Sequence, residues 1–374
     1  MNSTSICCVM QNIFRSLTQL FDKIFFLFHN ENMSISYHTQ RDLINQKKIL
    51  DSLPAFPNYI QDFIISIENN TSSLTRLNYL TDLKLFFNYL SNVLNKPFKQ
   101  ISYDDLDKIK ARDIERFLSY VSYFEKDGKV HVNKEKGKAR KLSAIRSLFK
   151  FLFNSDQISS NVVSKIATPK IHEKEIIRLD PDEIAKLLDE AECPENLTKR
   201  EVSYNKQTKE RDVAMLTLFL GTGIRISECV GLNVGDINLD DNSFKITRKG
   251  GNEVVLYFSN EVKDALIKWL EKRETIETVE KDEQALFLSL QRKRITPRAV
   301  ENLVKKYSQA VTPLKKISPH KLRSTYGTSL YRETQDIYIV ADVLGHKDVN
   351  TTKKHYAAID EDIRRNASTK VKLR

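Results

Sequence analysis

Apolar residues recur at spacings of three and four along much of this sequence, and this periodicity confines most of the chain to packed amphipathic helices. The clearest stripe lies between residues 75 and 94, at Leu77, Leu80, Leu83, Phe86, Phe87, Leu90 and Leu94. A helix with such a stripe must bury it against its neighbours. Because 40% of the 374 residues are hydrophobic, the chain can build ordinary packed cores, and its length favours two domains.

Two more helices are predicted after this stripe, over residues 103–124 and 139–153. The segment between them contains Gly128 and Gly137 and is predicted to be a loop. Together with the first stripe, these helices predict a mainly α domain over residues 46–165.

The residues before this domain, 1–45, are predicted to be an extension of unknown role. Their apolar stretch at 13–28 is interrupted by charged residues and is followed by no small-residue cleavage site. This favours an amphipathic segment over a signal peptide or a membrane-spanning helix. Because Met33 opens an ordinary polar stretch, we expect residues 1–32 to be an upstream extension or the result of a start site assigned too early.

A second domain is predicted after a linker at residues 166–181, which contains two prolines and lacks an apolar period. This domain, 182–374, opens with a helical pattern and is mostly helical. It also includes two β-like runs at 243–247 and 253–258. The glycines between the runs permit positive φ angles, so the pair predicts a β-hairpin and an α+β domain.

The charge balance favours a polyanionic partner. The chain has 60 Lys and Arg residues against 49 Asp and Glu residues, a formal net charge of +11. This excess alone leaves DNA, RNA and anionic membranes open as partners.

The cysteines and histidines point to no metal site. The four cysteines, Cys7, Cys8, Cys193 and Cys229, form no CxxC pair and have no histidine at a ligand spacing. Neither a disulfide framework nor a zinc site is indicated, which fits a reducing cytosol. The sequence also lacks an HExxH motif and a phosphate loop of the Walker type. We therefore expect the chemistry to need no metal, nucleotide or other cofactor.

Positive charge accumulates between residues 129 and 146, and two interpretations are open. The cations could form a surface that faces a DNA backbone, or they could lie on a solvated charged loop. The candidate DNA-binding residues are Lys136, Lys138, Arg140, Lys141 and Arg146.

His320 and Arg323 stand three residues apart in a stretch that is predicted to be helical after Pro319. On a helix this spacing places both side chains on one face. A guanidinium can bind two phosphate oxygens with its planar fork, and an imidazole can donate a hydrogen bond or transfer a proton near neutral pH. By itself the pattern is a weak signal, because a surface pair on a basic helix gives the same spacing.

Arg225 and Glu228 repeat the three-residue spacing in the run GTGIRISE at 221–228. The glycines permit a turn that presents Arg225 to a phosphate, with Glu228 as a residue that orients it. The alternative is an ordinary helical ion pair, worth roughly half a kcal/mol, and the pair alone favours that alternative.

Tyr356 follows the run LGH at 344–346 by ten residues. A single tyrosine usually packs in a core. Since the phenol pKa is about 10, a tyrosine nucleophile needs cations that favour the phenolate and stabilise charge on the phosphate oxygens. Arg225, Arg323, His320 and His346 are the groups that could provide this environment.

Taken in order, these motifs resemble the catalytic set of the tyrosine recombinases, the family of phage-type integrases and Xer-type recombinases. The set consists of GTGIRISE at 221–228, RKGG at 248–251, HKLR at 320–323, LGH at 344–346 and Tyr356. Five short motifs in this order are a much stronger signal than any one of them. The resemblance covers residues 182–359, and the helical region 59–153 is similar, less specifically, to the core-binding domain of the family.

The resemblance implies a role for each candidate residue. Four of them would hold the scissile phosphate: Arg225, Arg323, His320 and His346. Lys249 matches the mobile lysine of the family, which protonates the departing 5′ oxygen, and Glu228 would support the site. Tyr356 would form a 3′-phosphotyrosyl bond. That bond conserves the energy of the phosphodiester, so resealing needs no ATP.

The resemblance also implies the fold and the partners. We expect a SAM-like helical core-binding domain and an α+β catalytic domain that close around duplex DNA carrying specific recombination sites. We expect a homo-tetramer on DNA, possible accessory proteins, no membrane, and a place in the cytoplasm at the nucleoid. The target sequence and the choice among integration, excision and chromosome dimer resolution are not determined by the sequence.

Three other classes of protein are alternatives. A type IB topoisomerase-like enzyme would use a similar site to relax DNA and would yield no recombinants. A non-catalytic DNA-binding regulator would share the charge but would not need Tyr356. A metal nuclease would require clustered carboxylates, which the sequence lacks.

Overall fold

The computed structural model of the protein describes residues 36–126, 128–170, 177–248, 251–279, 282–346 and 349. It divides into two compact units, Met1–Glu173 and Lys174–Arg374. The finer boundaries at 165/166 and 181/182 stay predictions. Several features singled out in the sequence lie outside the described residues: the apolar stretch 13–28, Met33, Lys249 and Tyr356.

The first unit is a helical bundle with one β-hairpin. Its elements are α1 (Tyr37–Ser52), α2 (Asn58–Ser66), α3 (Ser73–Leu94), α4 (Tyr103–Asp107), α5 (Ala111–Tyr120), β1 (Tyr123–Lys126), β2 (Lys129–Val132) and α6 (Glu135–Asn154). The predicted stripe lies on α3 and packs into an aromatic core with Phe86 and Phe87 fully buried. Helix α1 packs against α3, so the predicted boundary between residues 45 and 46 falls inside a helix.

The single helix predicted over residues 103–124 is wrong. Helix α4 ends at Asp107, and a new helix begins at Ala111 because the Asp113 carboxylate accepts a hydrogen bond from the backbone N–H of Lys110 at 3.0 Å. The predicted loop after it is also wrong, since it contains the β1–β2 hairpin and the start of α6. Phe124 is buried on one face of this hairpin and stacks on His131 with ring centroids 5.2 Å apart.

The second unit is also mainly helical and contains a small sheet. Its elements are α7 (Pro181–Glu192), α8 (Lys199–Thr222), α9 (Ile226–Gly231), β3 (Ile237–Asn238), β4 (Ser243–Thr247), β5 (Glu253–Tyr257), α10 (Asn260–Glu274), α11 (Pro297–Val311), α12 (Pro319–Thr334) and α13 (Ile337–Leu344). The strands are antiparallel in the order β3-β4-β5, which confirms the predicted hairpin.

Helix α8 organises this unit, since it contacts α7, α10 and α12. A buried polar network fixes its middle turns: the Asp212 carboxylate accepts hydrogen bonds from Arg211, Thr208 and Tyr307, with the Tyr307 hydroxyl at 2.8 Å. Helix α13 packs on α12 through Leu344, Val340 and neighbouring side chains. Among the described helices, none combines the length and the apolar character that a membrane span requires.

Candidate active site

The LGH run at 344–346 forms the C-terminal cap of α13. Gly345 adopts the left-handed conformation at φ +60°, its N–H bonds to the Asp342 carbonyl at 2.8 Å, and the His346 N–H bonds back to the Ala341 carbonyl at 2.9 Å. This is the Schellman arrangement, in which glycine reverses the chain at little cost. The cap places half-buried His346 directly beside the carbonyls of the last helical turn.

The GTGIRISE run forms a similar turn between α8 and α9. Gly223 ends α8 at φ +63°, and a Cβ there would lie 2.5 Å from the Tyr326 ring. Two residues later, Arg225 is the N-cap of α9. Its backbone N–H donates to Glu228 at 2.9 Å and its guanidinium donates to the same carboxylate at 2.8 Å. Glu228 therefore both caps α9 and orients the Arg225 side chain.

Arg225 and Arg323, far apart in the sequence, meet at the end of α13. Arg225 donates to the carbonyls of Leu344 at 3.0 Å and Gly345 at 2.9 Å. Arg323 projects from α12, is only 6% exposed, and donates to the carbonyls of Gly223 and Leu344. The Leu344 oxygen thus accepts hydrogen bonds from both guanidinium groups.

A third arginine reaches the same helical turn from the sheet. Arg248 follows β4 and donates to the carbonyl of Val343 at 2.8 Å and to that of Asp342 at 3.3 Å. Burial lowers the pKa of Arg248, with a further lowering from the positive charge of Arg225 that Glu228 opposes. We call Arg225, Arg248 and Arg323 the arginine cluster.

The arrangement suits an anion. Three guanidinium groups from three separate elements surround the end of α13, whose carbonyls carry the negative end of the helix dipole. Each guanidinium offers planar donors that match phosphate oxygens in geometry and charge. Across the described ranges, no group of three or more His, Cys, Asp or Glu side chains is placed to hold a metal ion.

The structure brings together most of the predicted site, but not all of it. Arg225, Glu228, Arg323 and His346 lie around the two glycine turns, and His320 lies exposed in the first turn of α12. The positions of Lys249 and Tyr356 are not described. Arg248 was missed, because sequence reasoning treated it as part of a turn. A second cation beside Lys249 was the available signal.

Comparison with known proteins identifies the class of protein. The profile of the phage integrase family matches residues 178–362, and that of the phage integrase N-terminal SAM-like domain matches residues 60–155. Tyrosine recombinase XerC of Thermodesulfovibrio yellowstonii is 32% identical over 303 residues, 79% of this chain and 90% of the relative. Tyrosine recombinase XerS of Streptococcus uberis is 32% identical over 365 residues, 89% of this chain and 100% of the relative.

The chain belongs to the tyrosine recombinases. It is therefore a site-specific recombinase, an enzyme that cuts and rejoins DNA strands through a covalent tyrosine intermediate. The fold agrees. XerH recombinase, in a crystal structure of its post-cleavage complex with palindromic difH substrate, superposes with a TM-score of 0.64 at 19% identity, covering 86% of this chain and 88% of that one.

In this recombinase the predicted DNA-facing residues of the first unit differ in their exposure and in their internal partners. Lys136 is exposed and Lys138 half-buried on the first turns of α6. Arg140 donates to the buried Asp82 carboxylate at 2.9 Å but remains 46% exposed at its side chain. Arg146 bonds to the Thr168 hydroxyl at 2.8 Å.

Lys141 is turned towards the interior of the first unit. Its side chain is only 7% exposed, and its ammonium donates to Asn133 at 3.1 Å and lies 3.5 Å from Asp82. Burial raises the pKa of Asp82, while Lys141 and Arg140 counteract that rise. The structure thus gives Lys141 an internal carboxylate as a partner, and its binding to DNA stays a prediction.

Proposed function

We propose that Tyr356 is the nucleophile of this recombinase and that Arg225 and Arg323 receive the scissile phosphate. The observation that supports this proposal is the meeting of Arg225 and Arg323 at the Leu344 carbonyl. Two guanidinium groups that share one oxygen are spaced to share the non-bridging oxygens of one phosphate.

The proposed reaction is an in-line phosphoryl transfer. The Tyr356 Oη–P bond forms as the P–O5′ bond breaks, and Arg225 and Arg323 stabilise the charge on the non-bridging oxygens. His320 and His346 complete the phosphate site by hydrogen bonding. Lys249 protonates the departing O5′, and Glu228 keeps Arg225 in place. The reverse transfer to a new 5′-hydroxyl releases Tyr356 and reseals the strand.

The proposed partners are two duplexes that carry recombination sites. XerH, a protein of the same fold, is described in complex with its difH substrate, which supports a duplex DNA partner for this chain. We propose a homo-tetramer on the two sites, with strands exchanged in pairs and with the assistance of accessory proteins. We place the reaction in the cytoplasm at the nucleoid, for movement of a mobile element or for Xer-type resolution.

Covalent capture tests the nucleophile. The chain is incubated with duplex fragments of the genome that encodes it, adducts are collected under denaturing conditions, and the attached DNA is sequenced. Duplex oligonucleotides carrying the recovered sequence then serve as substrates. Tyr356→Phe should retain binding to these duplexes and lose the adduct, because only the nucleophilic oxygen is removed.

Two outcomes would contradict the proposal. An adduct that persists in Tyr356→Phe on a denaturing gel would assign the nucleophile to another residue. Recombination is tested with two copies of the recovered site on one supercoiled plasmid. Relaxation of that plasmid without recombinant products would place the enzyme with the type IB topoisomerases.

A further inference from the structure

The Arg248 side chain links the end of β4 to the end of α13. The turn between β4 and β5 closes on itself through the Arg248 N–H, which donates to the Asn252 carbonyl at 2.8 Å, and the Gly251 N–H, which donates to the Arg248 carbonyl at 3.1 Å. These bonds shape the turn. The Arg248 guanidinium then reaches across to two successive carbonyls of α13, those of Asp342 and Val343.

Gly345 makes room for this contact. A Cβ at Gly345 would lie 2.3 Å from Nη1 of Arg248 and 2.5 Å from its Cζ. The planar guanidinium therefore lies flat against the glycine of the LGH run, beside the residue that precedes His346. A lysine could not reproduce this contact, since its ammonium has no planar fork.

Arg248 is bonded directly to Lys249 in the chain, and Gly345 is bonded directly to His346. We infer that Arg248 is a positioning residue: by bonding to the end of α13 it restrains the chain immediately before Lys249, the proposed proton donor, relative to the chain immediately before His346. This inference rests on the proposed role of Lys249 as general acid. It adds a residue whose effect on catalysis is exerted through Lys249.

A direct role is the competing interpretation. Arg248 lies close enough to Arg225 for their charges to interact, so its guanidinium could itself bind the phosphate. The two roles differ in the bond they help to break. A positioning role acts on protonation of the leaving O5′, whereas a phosphate ligand acts on the non-bridging oxygens.

The two roles are separated by replacing the leaving oxygen. In a duplex with sulfur at the bridging 5′ position, the P–S bond breaks and a thiolate departs. A thiol has a pKa of about 8.5, so the thiolate needs no general acid. Adduct formation is measured in single turnovers on oxygen and sulfur duplexes that carry the recovered site. The chains compared are the parent, Arg248→Ala, Lys249→Ala, Arg225→Ala and the surface control Arg298→Ala.

Arg248→Ala should cut the oxygen duplex about 10²-fold more slowly than the parent does, as expected for a misplaced catalytic group. It should cut the sulfur duplex at a rate within a few-fold of the parent, as Lys249→Ala should. Arg225→Ala should be slow on both duplexes. Arg298 is exposed on α11, where it pairs with Glu301 at the surface, so its variant should match the parent. Because one protein sample cuts both duplexes, the ratio of its rates is independent of the folded fraction.

Three results would overturn the inference, and they are distinguishable from failure of the proposed function. Arg248→Ala that is slow on both duplexes would make Arg248 a phosphate ligand. Arg248→Ala that cuts the oxygen duplex like the parent would show that the contact with α13 has no catalytic effect. Lys249→Ala that is not rescued by sulfur would remove the general acid on which the inference depends. In all three cases the parent still forms its Tyr356 adduct, whereas a parent without an adduct contradicts the proposed function itself.

Discussion

The arginine cluster and the basic start of α6 are both dense in positive charge, but they use that charge differently. In the cluster, three guanidinium groups from distant parts of the second unit meet at one helical turn. On α6, neighbouring cations diverge: Lys136 is exposed to solvent, whereas Lys141 is turned inward to a buried carboxylate. Adjacent positions on a helix point in different directions, so a basic run in sequence is rarely one surface.

The difference shows that the partner of a cation within the fold, and not the local density of charge, determines whether its charge is available to a ligand. In the cluster all three guanidinium groups bond to backbone carbonyls, which do not neutralise their charge, and the Glu228 carboxylate pairs with Arg225. Lys141 has a carboxylate as its partner, and that charge is cancelled within the fold. The proposed phosphate site therefore keeps an excess of positive charge, whereas the charge of Lys141 is balanced by Asp82.

The largest expected effect is on cleavage. Arg225→Ala and Arg323→Ala should each raise the activation free energy of adduct formation by about 3 kcal/mol, by analogy with the loss of one donor that stabilises transition-state charge. Single-turnover cleavage of the recovered duplex at saturating protein measures this effect. Near-parent rates in either variant would refute the phosphate-binding role of that arginine.

The two variants should differ in stability, which sharpens the comparison. Arg323 is 6% exposed, and its replacement removes hydrogen bonds from the Gly223 and Leu344 carbonyls. The Arg225 side chain, in contrast, is 35% exposed. Arg323→Ala should therefore lower the free energy of unfolding by about 1–3 kcal/mol more than the replacement of a solvated arginine would. Urea unfolding can be followed by fluorescence of Trp269, the one tryptophan of the chain, which is buried in the same unit.

An intermediate effect is expected in the first unit. Lys141→Ala should lower the stability of the α3 and α6 region by about 1–3 kcal/mol, because Asp82 loses one of its two cations and stays buried. Hydrogen exchange of amides in α3 and α6 measures this change. The salt dependence of DNA binding should stay that of the parent, and a reduced slope would return Lys141 to the DNA-facing residues.

The same variant should show a defined pH dependence. Burial raises the pKa of Asp82, so its folded carboxyl takes up a proton at a higher pH than the unfolded one does. The stability difference from the parent should be largest near pH 7 and should shrink as the pH falls through the raised folded pKa, because a neutral carboxyl needs no cation. It should be lost below the ordinary aspartate pKa of about 3.9, where the carboxyl is protonated in both the folded and the unfolded state. A difference independent of pH would mean that Asp82 is not the partner concerned.

The smallest effect is expected at the exposed end of the basic run. Lys136→Ala should weaken binding to all duplexes alike and reduce the slope of log affinity against log salt by about 1, the signature of one phosphate contact. Lys150→Ala is the matched control, since Lys150 is exposed on the same helix about 21 Å further along. Equal changes in both variants would indicate a general loss of charge and not a local contact.

Local patterns predicted the elements whose signals are local. The apolar stripe on α3 and the β4–β5 hairpin follow from side-chain period and turn glycines. The prediction of one helix over 103–124 was wrong because Asp113 caps the start of a second helix, and hydrophobic periodicity does not detect such a cap. The burial of Lys141 was not anticipated, although its position four residues before buried Ile145 was a signal that it lies on the inner face.

The site could be predicted only in part. The order of the motifs indicated that Arg225 and Arg323 act together, but their contact with the end of α13 depends on tertiary packing. Arg248 illustrates the limit. Its partners, the carbonyls of Asp342 and Val343, are backbone groups, so no side chain in the sequence marks the interaction.

The carbonyls at the end of α13 compete with a phosphate for the hydrogen bonds of the arginine cluster. A guanidinium that turns to a phosphate deprives the negative end of the helix of a cation, at a cost of about 0.3–1 kcal/mol for each charge. The apparent affinity for phosphate is the intrinsic affinity reduced by the fraction of molecules in which the carbonyls have released their arginines. A free phosphate ion must meet this cost alone, whereas a long duplex distributes it over many contacts. With Arg225 and Arg323 in their proposed role, this cost would favour a phosphate within a bound DNA duplex over the inorganic phosphate of the cell.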